Sequence, residues 1–407
     1  MKEKLVVIGN GMAGMRCVEE LLRAAAEKFE ITVFGAEPYG NYNRIMLTPV
    51  LYGAKSIDDI MIHNFDWYRS NNINLLCGGD NAVTAIDTEN RFVTTRDGSR
   101  TDYDRLLIAT GSRSHVLPLP GGQVQGVIGF RDIADVEYMI DKSQTHRNAV
   151  VLGGGLLGLE AANGLLQRGM EVTVVNRADH ILNKQLDKTA SGMLQTELEE
   201  KGIRFRLGLS IKSVLNDGTH ITGVVLDDNG VMPADILVMA TGIVPNIDLA
   251  KAAGLDCERG IIVRDTMQTD RDEVYAVGEC IQFRGELFGL VAPVYEQARV
   301  CAQNLAGQGN FVYRSITPAT MLKVSGIDLF SLGDYSGDKE TETLTLIDHA
   351  RRIYRKIVLR RNIIVGMLMY GDTSDSGWYQ QLFRDETDIS PIRNELIFGR
   401  TTLPEVA

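Results

Sequence analysis

Two stretches of the chain carry the same succession of apolar and glycine positions. "KLVVIGNGMAGMRCVEELL" (4–22) and "AVVLGGGLLGLEAANGLL" (149–166) each run from a short apolar block, through a glycine turn, into apolar positions at helical spacing. Each is followed by a second apolar block, "FEITVFG" (29–35) and "MEVTVVN" (170–176). Strand, glycine turn, helix and strand form one βαβ unit, so the repeat predicts two such domains in one chain. Later strands close each copy: "DRLLIATGS" (104–112) for the first and "DILVMATGIVPN" (235–246) for the second. "RDEVYAVGECIQF" (271–283) predicts one more strand, returning to the first domain.

From about residue 318 the pattern changes. "MLKVSGIDLFSLGDYSG", "ETLTLIDHA" and "RRIYRKIVLRRNIIVGMLMYGD" alternate in the manner of antiparallel strands joined by turns. "SGWYQQLFRDE" (376–386) then predicts a short helix. The expected organisation is three packed domains: 1–117 with 246–317, then 118–245, then 318–407.

Composition adds mainly exclusions. The 407 residues are 44% hydrophobic and 23% charged, ordinary for globular domains. A net charge of -11 argues against nucleic acid or an acidic membrane surface as main partner. No run of 18 apolar residues exists, and "MKEKLVVIGNGMAG" enters a strand at once, so neither a membrane helix nor a signal peptide is expected. Cys17, Cys77, Cys257, Cys280 and Cys301 form no close pair. The expectation is therefore a cytoplasmic chain with no metal site and no locally encoded redox disulfide.

The glycine turns carry the first chemistry. Gly9, Gly11 and Gly14 form GxGxxG directly after an apolar strand, and Gly153, Gly155 and Gly158 repeat it. The first glycine allows the tight turn, the second lets a diphosphate approach the backbone, and the third lets helix and strand pack. The diphosphate then rests on amides at a helix N-terminus. Either motif alone also fits an ordinary turn; two in βαβ context point to two dinucleotides. Past the second strand of the first copy, Glu37 is the candidate for adenosine ribose hydroxyls, against a plain solvated carboxylate. The second copy has Asn176 and Arg177 there, which favours NADPH or weak discrimination unless Arg177 simply faces solvent.

Three further positions stand out. Gly278-Glu279 ends a strand, where a carboxylate can accept from a ribityl hydroxyl or cap the next turn. "GLVAPVYEQARV" (289–300) predicts a helix beginning after Pro293, its N-terminal amides suited to the electron-rich edge of a flavin. Glu160 follows the second turn and lies either near flavin and nicotinamide, as the one candidate catalytic residue, or as an ordinary acid early in a helix. Cys280 is expected to be a small buried residue rather than a nucleophile.

In this order the glycine motifs, "ATGS", "ATGIVPN" and "VYAVGEC" resemble the FAD- and NAD(P)-dependent pyridine nucleotide oxidoreductases over about residues 1–318. More narrowly, "NYNRIMLTPVL", "GLVAPVYEQA", "LKVSGIDLFSLGD" and "GDTSDSGWYQQL" resemble the N-terminal flavin module of NAD(P)H-dependent assimilatory nitrite reductase large subunits. Similar modules occur in electron-transfer subunits of assimilatory nitrate reductase and in rubredoxin reductases. The resemblance implies an α/β fold: two Rossmann-like nucleotide-binding domains, glutathione reductase-like, plus a small α+β C-terminal domain. It implies FAD on Gly9, Gly11, Gly14, Glu37, Arg44, Thr110, Gly111 and Glu279, and NADH or NADPH on Gly153, Gly155, Gly158, Glu160 and Gly242.

Two departures from the relatives matter. Nitrite reductase subunits continue into iron–sulfur and sirohaem domains, while this chain has no cysteine cluster, so it is not expected to reduce nitrite by itself. Related ferredoxin-type reductases also read R-P-x-L-S-K where this chain reads "RIMLTP", with Pro49 in the lysine's place. The surrounding loop "YGNYNRIMLTPVLYG" (39–53) contains no cysteine, whereas many flavoenzymes of this build place a reactive cysteine there. With no dithiol to receive them, electrons are expected to leave for an iron–sulfur or sirohaem domain, a small carrier protein, or dioxygen.

Alternatives are a rubredoxin or ferredoxin reductase outside nitrogen metabolism, and a flavin-binding signalling or scaffold protein. A homodimer is compatible with either. One segment, "HARRIYRKIVLRR" (349–361), is dense in Arg351, Arg352, Arg355, Lys356, Arg360 and Arg361. It predicts either a docking patch for an acidic carrier or neutralisation by Asp338, Glu340, Glu342 and Asp348 across an antiparallel pair.

Overall fold

The computed structural model describes residues 2–315 and 320–400, which leaves the expected boundary at 317/318 and the last seven residues outside the described part. The chain forms two compact units. The first comprises residues 1–115, 131–133 and 242–316; the second comprises 116–130, 134–241 and 317–407.

The first unit is built on β1 (Glu3–Ile8), α1 (Met12–Ala25) and β2 (Phe29–Gly35). Its five-stranded parallel sheet runs Val274–Ala276, Arg105–Ile108, β1, β2, Asn74–Cys77. Leu5, Val6, Val7, Leu106, Leu107 and Ile108 are buried in succession rather than alternately, because a parallel sheet is covered on both faces. On α1, Gly14, Val18 and Leu21 form the buried stripe, and Arg16, Glu20 and Arg23 pair on the opposite face. Burying a side chain such as Leu21 contributes about 1.5–3 kcal/mol. The helix Val291–Ala306 packs on α1 and buries Val294, Ala298, Cys301 and Leu305. It begins two residues before Pro293, not after it. Proline fits within a first turn because the amide it lacks has no partner there.

The "RDEVYAVGECIQF" segment also differs from expectation. It holds two strands, Val274–Ala276 and Ile281–Phe283, in different sheets, separated by the turn at Gly278 (φ +96°). Only the first of them joins the parallel sheet.

The second unit repeats the plan with β3 (Asn148–Leu152), α2 (Leu156–Gln167), β4 (Glu171–Asn176) and α3 (Lys188–Lys201). Its parallel sheet runs Val127–Ile128, Ile236–Met239, β3, β4, Arg204–Leu207. The C-terminal residues add an antiparallel sheet of β5 (Thr320–Val324), β6 (Ile327–Gly333), β7 (Glu342–Asp348), β8 (Ile353–Arg360) and β9 (Ile363–Tyr370). Its order is β5, β6, β9, β8, β7. One face carries Phe330, Leu332, Ile357, Met367 and Met369 against Tyr379 of the helix Ser376–Arg384 and against Leu396.

Five of the six bases of the basic segment are paired, and largely from an unexpected side. Arg352 pairs with Glu197 (3.2 Å) and Glu200 (2.8 Å), and Lys356 with Asp187 (3.3 Å), all at α3. Arg355 is buried, bonded to the Tyr379 hydroxyl (3.1 Å) and paired with Asp372 (3.4 Å). Among the expected acids, Asp338 takes Arg360 and Asp348 takes Arg351, while Glu342 pairs with Arg393. The residues directly across from Arg355 and Lys356 are Leu346 and Thr345, so strand register does not do the pairing. A row of bases occupied in this way is not a free docking patch.

Candidate functional site

The first turn is built for close approach. Gly9 has φ +118°, and a Cβ there would collide with the Ala109 carbonyl. A Cβ on Gly14 would meet the Gly9 carbonyl. At Gly11, by contrast, a Cβ would enter open space, with nothing within 4 Å. Gly11 caps α1 in extended conformation (φ -86°, ψ -177°) without any side-chain hydrogen bond. The first-turn amides therefore border an open cradle, which suits an anionic diphosphate.

Beside this turn, Glu37 is held twice. Tyr42 donates its hydroxyl to one carboxylate oxygen (2.7 Å), and Arg44 forms an ion pair with the other. Arg44 also lies 4.9 Å from the Tyr42 ring centroid and donates to the Arg131 carbonyl (2.9 Å). Burial pushes the Tyr42 phenol far above its usual range, so it stays protonated and donates. The loop 39–53, empty of cysteine, thus supplies the two groups that orient Glu37.

Residues 110–114 and 242–246, from the two ATG motifs, meet in the first unit. Ser112–Ser114 pairs antiparallel with Ile243–Pro245. Thr110 Oγ1 donates to the Asn246 carbonyl (2.7 Å), and Asn246 Nδ2 donates back to the Thr110 carbonyl (2.9 Å). Gly111 and Gly242 both have positive φ and open space where a Cβ would stand. Gly242 falls in this first unit, whereas Gly153, Gly155 and Gly158 fall in the second.

Glu279 accepts from Ser112 Oγ (2.8 Å) and is ion-paired with Arg131, whose Nε donates to the Ser112 carbonyl (3.2 Å). A Cβ on Gly278 before it would come within 2.8 Å of the Ala13 Cβ on α1, and the Gly278 amide donates to Gln297 Oε1 on the helix Val291–Ala306 (3.1 Å). The Gly278–Glu279 turn is thereby seated between the two helices. Cys280 is fully buried, its thiol is 3.3 Å from the Val277 carbonyl, and burial raises its pKa, as expected of an inert thiol. Cys17 and Cys301, remote in sequence, meet where α1 packs on the helix Val291–Ala306. Both are buried, and burial first, then Cys17, pushes the Cys301 thiol well up.

The second turn copies the first. Gly153 has φ +120°, a Cβ on Gly158 would strike the Gly153 carbonyl, and a Cβ on Gly155 would have open space. Gly155 caps α2 at φ -82°, ψ -179°, again without a side-chain bond. The end of the second strand is different. Asn176 turns inward: its Oδ1 accepts from the Gly154 amide (3.0 Å), and its Nδ2 donates to the Ala178 (3.2 Å) and His180 (3.0 Å) carbonyls. Arg177 is exposed. Glu160 Oε1 accepts from the Ser325 backbone amide (3.2 Å) in the turn between β5 and β6.

Arg131, Tyr42, Ser112 and Asn246 were not singled out as candidates. Ser112 and Asn246 lie inside the quoted "ATGS" and "ATGIVPN" motifs, which was a usable signal. Arg131 stands in "GFRDI", where nothing local marks it.

Comparison with known proteins agrees with this construction. The pyridine nucleotide-disulphide oxidoreductase family is matched over residues 3–304, and the rubredoxin NAD+ reductase C-terminal domain over residues 318–387. A nitrite reductase [NAD(P)H] of Bacillus subtilis is 45% identical over 96% of this chain and 48% of its own length. The assimilatory nitrate reductase electron transfer subunit of the same organism is 41% identical over 99% of this chain and 52% of its own. The chain thus spans about half the length of these relatives. The crystal structure of NADH:rubredoxin oxidoreductase from Clostridium acetobutylicum superposes with a TM-score of 0.80 at 27% identity, covering 96% of this chain and 97% of that one.

Proposed function

The chain belongs to the pyridine nucleotide-disulphide oxidoreductases, and we propose that within that family it is the electron-entry component of a nitrite- or nitrate-assimilating system. It is an FAD- and NAD(P)H-using oxidoreductase. The observation that carries the two-nucleotide chemistry is the pair of uncapped helix N-termini, one in each unit, each facing an open glycine cradle, and the nitrogen-assimilating role rests on the likeness to the two Bacillus subtilis proteins.

Bound FAD supplies the ability to take up a hydride and to give up electrons singly. The chain's own groups do the rest. The amides of α1 hold the flavin's diphosphate, Glu37 its adenosine ribose, and Glu279 a ribityl hydroxyl, with Tyr42, Arg44 and Arg131 orienting the two acids. The amides of α2 hold the diphosphate of NADH or NADPH. The absence of an acid at position 176, with Arg177 exposed beside it, favours tolerance of a 2′-phosphate. The uncapped start of the helix Val291–Ala306 offers its positive end to an electron-rich ring edge. In this scheme residues 1–117 with 246–317 form the flavin domain, 118–245 the NAD(P)H domain and 318–407 a C-terminal domain.

The acceptor is a redox protein or domain outside this chain, since residues 39–53 offer no thiol. A rubredoxin-type carrier is the second reading, favoured by the match of residues 318–387. The test is to purify the chain and follow NADH or NADPH oxidation with ferricyanide, rubredoxin and nitrite as separate acceptors. The proposal expects one FAD per chain, rapid ferricyanide reduction and no nitrite consumption. Nitrite turnover by this chain alone, or a colourless protein, contradicts it. Efficient reduction of rubredoxin with no transfer to a sirohaem-containing partner would select the second reading.

A further inference from the structure

Residues 177–187 join β4 to α3 and begin at the exposed Arg177. Their inner side is held by the nucleotide-binding fold itself. The Leu182 amide donates to the Gly154 carbonyl (2.8 Å), and Ile181, Leu182 and Leu186 are buried. Leu182 sits at φ +47°, a conformation that a non-glycine residue keeps only when its surroundings impose it.

The outer side is held by hydrogen bonds from the C-terminal sheet and from the loop that follows β6. Tyr335 donates its hydroxyl to the Lys184 carbonyl (2.7 Å). Tyr354 donates to Asp187 Oδ2 (2.7 Å), and Lys356 Nζ lies 3.3 Å from the same oxygen. The other Asp187 oxygen caps α3 by accepting from the Ala190 amide (3.0 Å). Tyr354 is 3% exposed. Apolar contacts would be enough to attach a sheet to a helix. Directional bonds to one carbonyl and one carboxylate also set where the segment lies.

We infer that the C-terminal sheet determines how this chain grips the adenosine end of its nicotinamide nucleotide. Tyr335, Tyr354 and Lys356 are positioning residues: they touch no nucleotide, but they hold the 177–187 segment and with it the Arg177 corner. This rests on the assignment of the Gly153–Gly158 turn to NAD(P)H. The affinity for the adenosine half, and the preference for a 2′-phosphate, are then set partly from strands outside the nucleotide-binding fold.

The experiment uses the full chain with FAD and two variants, Tyr335→Phe and the double variant Tyr354→Phe with Lys356→Met. The dissociation constants of 2′,5′-ADP, NADPH and NADH are measured, together with the rate of flavin reduction by reduced nicotinamide mononucleotide, which has no adenosine. The expected result is a loss of about three- to tenfold in affinity for 2′,5′-ADP and NADPH per hydrogen bond removed. The mononucleotide rate and FAD content stay unchanged. Variants that melt at lower temperature yet bind 2′,5′-ADP like the unaltered chain would overturn the inference and leave these residues as fasteners. An equal loss for the mononucleotide would also overturn it. Failure of the unaltered chain to bind 2′,5′-ADP, NADPH or NADH would instead overturn the nucleotide assignment on which it rests.

Discussion

The two glycine turns share their backbone and part company at the end of the following strand. Gly9 and Gly153 have φ of +118° and +120°, and Gly11 and Gly155 cap their helices at nearly the same angles. Past the second strand, however, Glu37 is an acid gripped by Tyr42 and Arg44, while Asn176 is folded back onto the Gly154 amide. On the proposed assignment the turn would serve any diphosphate, because it offers only amides and open space. Selectivity would then reside in what stands beside it, and that differs between the units.

Exchanging the open glycines should break the comparison most severely. Gly11→Val fills the first cradle and should give colourless protein, whereas Gly155→Val should leave FAD in place and abolish reduction by NADH and NADPH. Absorbance of the purified proteins and anaerobic stopped flow distinguish the two. Retention of stoichiometric FAD in Gly11→Val would remove the first turn from the flavin site.

A smaller loss is expected at the selective positions. Glu37→Gln removes a charge-assisted bond of about 1.5–3 kcal/mol. The FAD dissociation constant should therefore rise by about tenfold to a hundredfold with NADPH affinity unchanged. Arg177→Ala should raise the Michaelis constant for NADPH by up to about tenfold, less if water shares the contact, and that for NADH hardly at all. Equal effects on both nucleotides would return Arg177 to the role of a solvated side chain.

These positions also mark how far the sequence could be read. Both turns, their strands and the antiparallel C-terminal sheet were legible, because each depends on local spacing: apolar blocks, glycines at fixed intervals, alternation. Glu279 and Glu37 were legible as acids at strand ends. Their partners were not. Arg131 reaches Glu279 across the fold, and Tyr42 and Arg44 converge on Glu37 only once the loop closes. The basic segment was only partly legible for the same reason: Asp338 and Asp348 do take bases as expected, but Asp187, Glu197 and Glu200 reach it from a helix rather than from the neighbouring strand. Cys17 and Cys301, both free thiols, likewise become neighbours only when two helices pack.

The smallest expected difference is one of pH. On α1, Glu19 bonds to His63 Nε2 (2.7 Å), and that bond, with Arg16 and Arg23 nearby, outweighs burial and holds its carboxyl below the usual 4.5. Because the folded value is lowered, its stabilising contribution is complete above about 4.5 and is lost as pH falls through the folded value. Thermal melts below pH 5 should show Glu19→Gln less sensitive to acid than the unaltered chain. The same slope in both would mean that Glu19 contributes nothing to acid lability.

In the proposed function, electrons leave this chain without passing through a thiol. The direct measurement is an anaerobic titration of the purified protein with NADH or NADPH, following flavin bleaching while free thiols are counted after each addition. The account predicts complete bleaching at one equivalent per FAD with the thiol count constant, including Cys17 and Cys301. Two new thiols appearing per flavin would show that a disulfide stands in the electron path and would contradict it.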